Sequence, residues 1–352
     1  MKKTLSNKKP ILITGGSGFL GGLLKHRLLK LGHLCVNIDL VPDTDSHPRL
    51  VYIQGDIRSK ALLQKVFSKY KFQVVYHCAA VLAHGNYDRS FLWTTNVDGT
   101  DNIASLAKQN KVEQVVFISS NCLWGNNMGR MVSEEDKPEP IELYGKSKWE
   151  GEKIIMNGAT STNALVLRSP TIIDEGRLGL LSILFEFIEE GRTVWVVGGG
   201  NNVYQFIYAQ DLIDACVSLI DSPKTGIYNI GSDHVRSLRE VYGQVISRAE
   251  TDSQIKSLSP WLITPMMKIA YSLNLSPLGP YHYKMIGEDF VFNTAKIKKD
   301  LAWHPTLTNG EMLWKAYKYY YDNKLQIQNS SSMSDHKKPV NMGAIKLLKW
   351  MS

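Results

Sequence analysis

A short apolar run, Ile11 to Thr14, passes directly into Gly15-Gly16-Ser17-Gly18-Phe19-Leu20-Gly21 and then into helix-forming chain up to residue 31. A strand, a glycine turn and a helix in that order leave few folds open. Gly15 makes the tight turn, Gly18 lets backbone approach a pyrophosphate, and Gly21 lets the helix pack closely on the strand. The helix that begins near Phe19 offers free N–H groups and the positive end of its dipole to phosphate oxygens. Asp39 closes the second β-rich run 24 positions after Gly15, close to the ~20 at which a ribose-binding acid stands. A carboxylate there accepts from both ribose hydroxyls and repels a 2′-phosphate, and no Arg or Lys follows it before Arg49. NAD is therefore favoured over NADP. Asp56, in Gly55-Asp56-Ile57, is placed to take an adenine amino group or, as a lone acid, to cap the helix starting near Ser59.

The alternation that begins there continues. Strands are predicted over Ile11–Thr14, Leu34–Ile38, Leu50–Ile53, Val74–His77, Val115–Ser119 and Ala164–Arg168, with helices over 19–31, 59–70, 91–110 and 144–157 between them. Apolar, β-branched strands separated by helices specify a parallel sheet covered on both faces, an α/β doubly wound sheet of the Rossmann type. The cadence breaks after Arg168. A helix over 178–190, a strand over Thr193–Val197, a helix from Gln210 to Ile220, a strand over Gly226–Ile230 and helices near 237–248 and 310–323 follow. The division read from this is a dinucleotide domain at 10–168 with returning segments at about 203–230, a substrate lobe from 169–202 and 231–325, and a basic tail at 326–352.

Charge and cysteine content narrow the function. The net charge is +8, but residues 1–10 carry +4 and residues 328–352 carry +3, so the body is nearly neutral and a nucleic-acid face is not expected. Cys35, Cys78, Cys122 and Cys216 are scattered without a CxxC pair, which reads as reduced thiols in a cytoplasmic protein with no metal site. No apolar stretch reaches the ~18 residues of a spanning helix. Ala344 to Met351 sets Ile345 and Leu348 beside Lys346 and Lys349. Such a piece suits peripheral contact with a membrane or a partner, against the simpler reading of a frayed or self-docked tail.

Tyr144 and Lys148 stand four apart, on one face of the helix they open. A neighbouring ammonium favours the phenolate and makes a phenol of ordinary pKa near 10 a usable acid/base. Ser119-Ser120, at the end of the fifth strand, offers a hydroxyl to hold a substrate oxygen beside it. With TGGSGFLG, Asp39, Gly55-Asp56-Ile57, His77-Cys78-Ala79-Ala80, Asn96-Val97-Asp98-Gly99-Thr100, Leu167-Arg168, Phe206 to Asp211 and Tyr228-Asn229-Ile230-Gly231, the chain resembles an extended short-chain dehydrogenase/reductase of the NAD-dependent epimerase/dehydratase family. The resemblance implies Ser120, Tyr144 and Lys148 as the catalytic set, with Lys148 also on the ribose and lowering the phenol's pKa. It implies NAD held by Gly15, Ser17, Gly18, Phe19, Leu20, Gly21, Asp39, Asp56, Ile57, Ala79, Ala80, Asn96, Lys148, Ser169 and Thr171, and a homodimer paired through the helices near 91–110 and 144–157.

Departures from the family pattern bear on the substrate. Where dehydratases of the family carry Asp-Glu after the catalytic hydroxyl, this chain has Asn121-Cys122, which disfavours dehydration. Where sugar-nucleotide epimerases carry an arginine ahead of the Asp-Leu motif, it has Tyr204, and a tyrosine cannot replace a charge-assisted pair. Asn121, Arg177, Tyr204 and Lys284 are the substrate candidates, with Arg192 a further cation. Trp261, Tyr271, Tyr281 and Tyr283 offer a pocket floor or simple core packing. The expectation is reversible hydride transfer at a secondary alcohol of a nucleotide sugar, in the manner of a 4-epimerase. The alternative is a 3β-hydroxysteroid or ketone-type dehydrogenase acting on an apolar alcohol.

Overall fold

The computed structural model describes residues 9–82, 88–158, 162–177, 179–273, 275 and 279–329. Its strands are β1 Ile11–Thr14, β2 Cys35–Asp39, β3 Leu50–Gln54, β4 Val74–His77, β5 Gln114–Ser120, β6 Asn163–Ser169, β7 Thr171–Ile173, β8 Val194–Val197, β9 Phe206–Tyr208, β10 Gly226–Asn229 and β11 Ile255–Leu258. Seven of them form one parallel sheet in the order β10-β6-β5-β4-β1-β2-β3. The chain winds outward in both directions from the β1/β4 pair. Between those two strands the connections diverge and leave a crevice at the carboxyl ends, where open α/β sheets bind ligands.

Period-2 alternation sends neighbouring side chains into two cores. Ile11 and Ile13 pack on one face with Leu24 and Leu28 of helix Phe19–Lys30 and with Leu212 and Cys216 of helix Ala209–Ser218. Leu12 packs on the other with Leu63 and Phe67 of helix Lys60–Lys69, Ile103 of helix Gly99–Gln109 and Ile155 of helix Leu143–Asn157. A third cluster joins Phe185 and Phe187 of helix Leu181–Glu189 to Val241 of helix Leu238–Ala249 and Met312 and Tyr317 of helix Asn309–Asn329. Two pairs of short parallel strands, β7 with β9 and β8 with β11, form separate small sheets. Among the described residues no helix is long and apolar enough to cross a membrane.

Three boundaries differ from expectation. The single helix expected over 91–110 is interrupted by a π-helical turn, Thr94–Asp98, between helices Arg89–Trp93 and Gly99–Gln109. The wider turn brings Asn96 inward, a common use of such an irregularity. Ile297 and Trp303, placed by sequence in the second lobe, pack in the sheet's core instead. The last helix runs to Asn329 with Ile327 buried, so the tail does not begin at 326; residues 330–352 lie outside the described set, as do 1–8.

One buried ion pair joins the sheet to the helix that opens at Tyr144. Arg168, at the end of β6, donates from Nε and Nη2 to Glu152 at 2.8–3.2 Å and from Nη1 to the Glu134 carbonyl at 3.1 Å. Both side chains are about 3% exposed. Removing one partner strands the other charge, so Arg168→Leu should cost about 3–5 kcal/mol in denaturant unfolding, with much of it recovered in Arg168→Met/Glu152→Leu. Equal stability of the single and double variants would contradict this account.

Candidate active site

The glycines of the turn are required by contact. A Cβ on Gly15, whose φ is +75°, would lie 2.8 Å from the backbone of Ala79, and one on Gly21 would lie 2.2 Å from the Gly15 carbonyl oxygen. Gly18 donates its N–H to that same carbonyl at 3.1 Å, and no side chain caps the helix that follows. Asp39 is held at the end of β2, its two carboxylate oxygens accepting from the N–H groups of Ser17 at 2.9 Å and Val41 at 3.0 Å. Gly16 was not singled out in the sequence, yet its N–H donates to a buried Asn37 Oδ1 at 2.9 Å, and a Cβ there would strike that side chain. Asp56 does not cap the next helix; Ser59 does. The Asp56 carboxylate instead takes Arg58, whose guanidinium keeps its pKa below the usual range.

Beneath the turn a donor chain fixes the backbone after β4. Ala79 N–H donates to Thr14 Oγ1 at 3.3 Å; Thr14 and His77 Nδ1 are 2.6 Å apart, and His77 Nε2 and Thr100 Oγ1 are 2.9 Å apart. Thr100 then donates to the Asn96 carbonyl at 2.7 Å. The Asn96 side chain accepts from Val81 N–H at 2.7 Å and donates to Val81 O and Ser147 Oγ, each at 3.0 Å. Asn96 is thus 2% exposed and off the cavity wall. Its place is behind the 79–81 loop, bracing it against the Tyr144 helix, and not the cofactor contact that the resemblance implied.

His77 sits neutral in this chain, its pKa pushed down to about 3 by burial and by the Lys148 charge. The sign follows from linkage: between about 3 and the ordinary 6.5 the unfolded chain binds the proton and the folded chain does not, so stability is complete above about 6.5 and falls as pH drops through that window. The loss should approach about 5 kcal/mol. Denaturant unfolding of the protein and of His77→Gln at pH 7 and pH 5 checks it, because the variant should lack this share of the slope.

Ser120, Tyr144 and Lys148, from the end of β5 and the helix after it, open onto one cavity of about 850 Å³ together with Gly15, Gly18, Asp39, Ala79, Ala80, Ser169 and Thr171. Ser17, Phe19, Leu20, Gly21, Asp56 and Ile57 line the same cavity. Ser120 Oγ accepts the Cys122 N–H at 3.1 Å and faces the Tyr144 phenol. The neighbouring hydroxyl, Ser119 Oγ, is buried without a hydrogen-bond partner among the described residues. Burial pushes the Tyr144 pKa well above its usual value, and the groups opposing this are Arg177 and Ser120. Lys148, four residues on along the same helix, lines the same cavity. Its ammonium lies 3.9 Å from the centroid of the Phe117 ring and its pKa is held down to about 8, by burial first, with Glu152 opposing. This amine is 3% exposed, packed between β5 and its own helix.

On the substrate side, Asn121 Nδ2 donates to Tyr204 Oη at 2.6 Å and Tyr281 Oη at 2.9 Å, and the two phenols are 2.9 Å apart. The amide standing where dehydratases have an acid is therefore held by two tyrosines. Arg177 lines the cavity, 5.3 Å from the centroid of Phe19, and burial lowers its pKa to about 10. Lys284 does not reach the cavity; it is exposed on helix Pro280–Met285, whose inward residues are Tyr281 and Met285. Arg192 also lies off the wall, beside Glu190 at 3.4 Å. Of the four aromatics grouped by sequence, Tyr281 alone lines the cavity; Tyr271 and Tyr283 pair with each other and Trp261 is exposed. Glu142 was missed: it lines the wall two residues before Tyr144, its pKa raised by burial. The remaining wall is largely apolar and includes Leu184, Phe187, Trp195, Phe206, Met267 and Met285.

A family model described as the NAD dependent epimerase/dehydratase family matches residues 11–231, the span from β1 to just beyond β10. The chain belongs to this family. Within it, the chain is 34% identical to the uncharacterized protein y4nG of Sinorhizobium fredii over 97% of its own length and 85% of the relative's. It is 27% identical to a putative UDP-glucose 4-epimerase of Methanocaldococcus jannaschii over 66% of this chain and 80% of that one. The fold matches the crystal structure of Bordetella bronchiseptica WbmG in complex with NAD at a TM-score of 0.75 and 20% identity, covering 90% of this chain and 95% of that one. The family's NAD suits the residues present: the turn leaves a cradle that a Cβ on Gly15 or Gly21 would fill, and the Asp39 carboxylate stands at its rim. Gly15 to Gly21 would hold the pyrophosphate and Asp39 a ribose.

Proposed function

We propose that the protein is an NAD-dependent epimerase/oxidoreductase that moves hydride reversibly at a secondary alcohol, with a nucleotide sugar as its first substrate class. The observation that carries this is the convergence of Ser120, Tyr144 and Lys148 with the glycine turn and Asp39 on one cavity. Bound NAD supplies the hydride acceptor and donor. Ser120 Oγ, oriented by the Cys122 N–H, positions the alcohol oxygen, and Tyr144 Oη takes its proton and returns it. Dehydration finds no base next to the catalytic serine: the Asn121 amide is held by two phenols, and burial raises the Cys122 thiol to about 12. The sugar assignment is supported by the epimerase relative and by the Arg177 guanidinium on the wall near Tyr144. A second reading, an alcohol carried on an apolar body, is favoured by the apolar lining of the substrate half. The family resemblance extends the proposal to a homodimer paired through helices Gly99–Gln109 and Leu143–Asn157.

Thermal unfolding with NAD and a panel of UDP-, dTDP- and GDP-sugars against hydrophobic secondary alcohols separates the two. Stabilisation by a sugar nucleotide, followed by its 4-epimerisation, is the expected outcome. Stabilisation by apolar alcohols alone, with NADH accumulating, would replace it with the second reading.

A further inference from the structure

We propose that the outer face of helix Pro260–Ser272 and the residues just after it form a docking surface for an anionic lipid bilayer, at the edge of the substrate cavity. Trp261 is 78% exposed, Leu262 53%, Met266 52%, Ile269 60%, Leu273 61% and Leu275 54%. Advancing about 100° per residue, the first five of these fall within an arc of about 140°. That is a continuous apolar stripe on the outside of one helix, a concentration that marks an interaction surface. The adjoining arc carries Ile263, Met267 and Ala270, which line the cavity, and Met266 lies on the border between the two. One helix thus separates the substrate wall from an exposed apolar face.

Charge selects the occupant. From Ile255 through Gly287 the chain has no Asp or Glu and three lysines, Lys256, Lys268 and Lys284, all of them exposed. The rest of the body is close to neutral, so the segment that carries this apolar face is locally positive, with Lys268 on the helix itself. A second copy seated on the same face would bring those lysines against their counterparts. The C-terminal segment of the chain is itself basic, with Lys337, Lys338, Lys346 and Lys349 against Asp335, and would be repelled likewise. An amphipathic helix with an apolar face and basic flanks is matched instead by the headgroup boundary of an anionic membrane, which takes the apolar side chains and attracts the lysines. Docked in this way, the helix puts the cavity beside the bilayer. This goes beyond the catalytic proposal and does not depend on it.

The test is flotation of the full chain, with NAD present, on vesicles of phosphatidylcholine with and without phosphatidylglycerol. The protein should float with the anionic vesicles and dissociate as salt is added. Leu262→Glu/Ile269→Glu should lower the bound fraction about tenfold while leaving thermal unfolding and NAD binding unchanged. Tyr144→Phe should float as the unaltered protein does, so that failure of the catalytic proposal and failure of this one are told apart. Lys346→Glu/Lys349→Glu should also float. The proposal is overturned if the helix variant floats undiminished, if binding is lost with the tail variant and kept with the helix variant, or if the protein does not float. In that last case, a dimer that Leu262→Glu/Ile269→Glu dissociates would assign the face to a second copy.

Discussion

Tyr144→Phe will abolish hydride transfer and leave NAD bound. The substitution removes one oxygen and keeps the ring, so the half-buried side chain goes on filling its place on the cavity wall. What is lost is the proton carrier that faces Ser120. General acid–base transfer by a positioned group is worth about 10²–10⁴-fold, and a loss of about 10³-fold in single-turnover hydride transfer is expected. The dissociation constant for NAD should stay within about twofold, because the cradle is made by the glycine turn and Asp39, away from the phenol. The pKa pattern sharpens the argument. In the ligand-free protein the phenol is neutral at any ordinary pH, since burial outweighs Arg177 and Ser120. To take the alcohol's proton it must first ionise, which the positive charge of oxidised NAD would favour once bound. Turnover by the Phe variant within tenfold of the unaltered enzyme would sink the assignment of Tyr144.

Gly21→Ala will weaken NAD binding sharply, whereas Gly22→Ala, one residue along, will not. An added Cβ at 21 lies 2.2 Å from the Gly15 carbonyl oxygen and 2.8 Å from its carbon, while at 22 the nearest atom is the Gly16 carbonyl oxygen at 3.6 Å, an ordinary contact. The Gly15 carbonyl cannot retreat alone. It accepts the Gly18 N–H, and its own residue is pressed against the Ala79 backbone, which Thr14 holds. The turn must open, and the cradle opens with it. Overpacking of this kind costs about 1–3 kcal/mol, so the variant should fold with a lowered melting temperature and an NAD affinity reduced by about 10²-fold or more. The Gly22 variant gains helix propensity of up to ~1 kcal/mol. Isothermal titration of both with NAD decides it. Equal affinities would mean that the turn does not hold the pyrophosphate.

The parts of this protein that could be read from the linear chain are those whose determinants lie close together along it. All seven strands of the sheet, the glycine turn, Asp39 and the Tyr144/Lys148 pair each fall within a window of a few residues to about two dozen. Periodicity of two for strands and about 3.6 for helices marks such windows because each repeat matches one local geometry. The strands β7, β9 and β11 were not legible: β7 and β9 are three residues each, too few for a pattern, and β11, Ile-Lys-Ser-Leu, has no period-two alternation. The π-helical turn at Thr94–Asp98 was hidden for a different reason. Its extra residue is stabilised from outside the helix, by Val81 and Ser147.

What packing alone decided is where each polar group spends its hydrogen bonds. Asn121 could be seen to lack an acid's chemistry, but its engagement with Tyr204 and Tyr281, 83 and 160 positions away, needed the second lobe folded over β5. Lys148 shares a helical face with Tyr144, but the Phe117 ring under its ammonium comes from the sheet, 31 positions away. Lys284 and Arg177 looked equivalent as cations along the chain; the fold exposes one and sets the other on the cavity wall. Local pattern selects the sheet, the turn and the chemistry available, because these follow from backbone geometry over short spans. Which of those groups meet, and with what charge, follows from burial and from contacts between distant segments, which exist only once the chain has closed on itself.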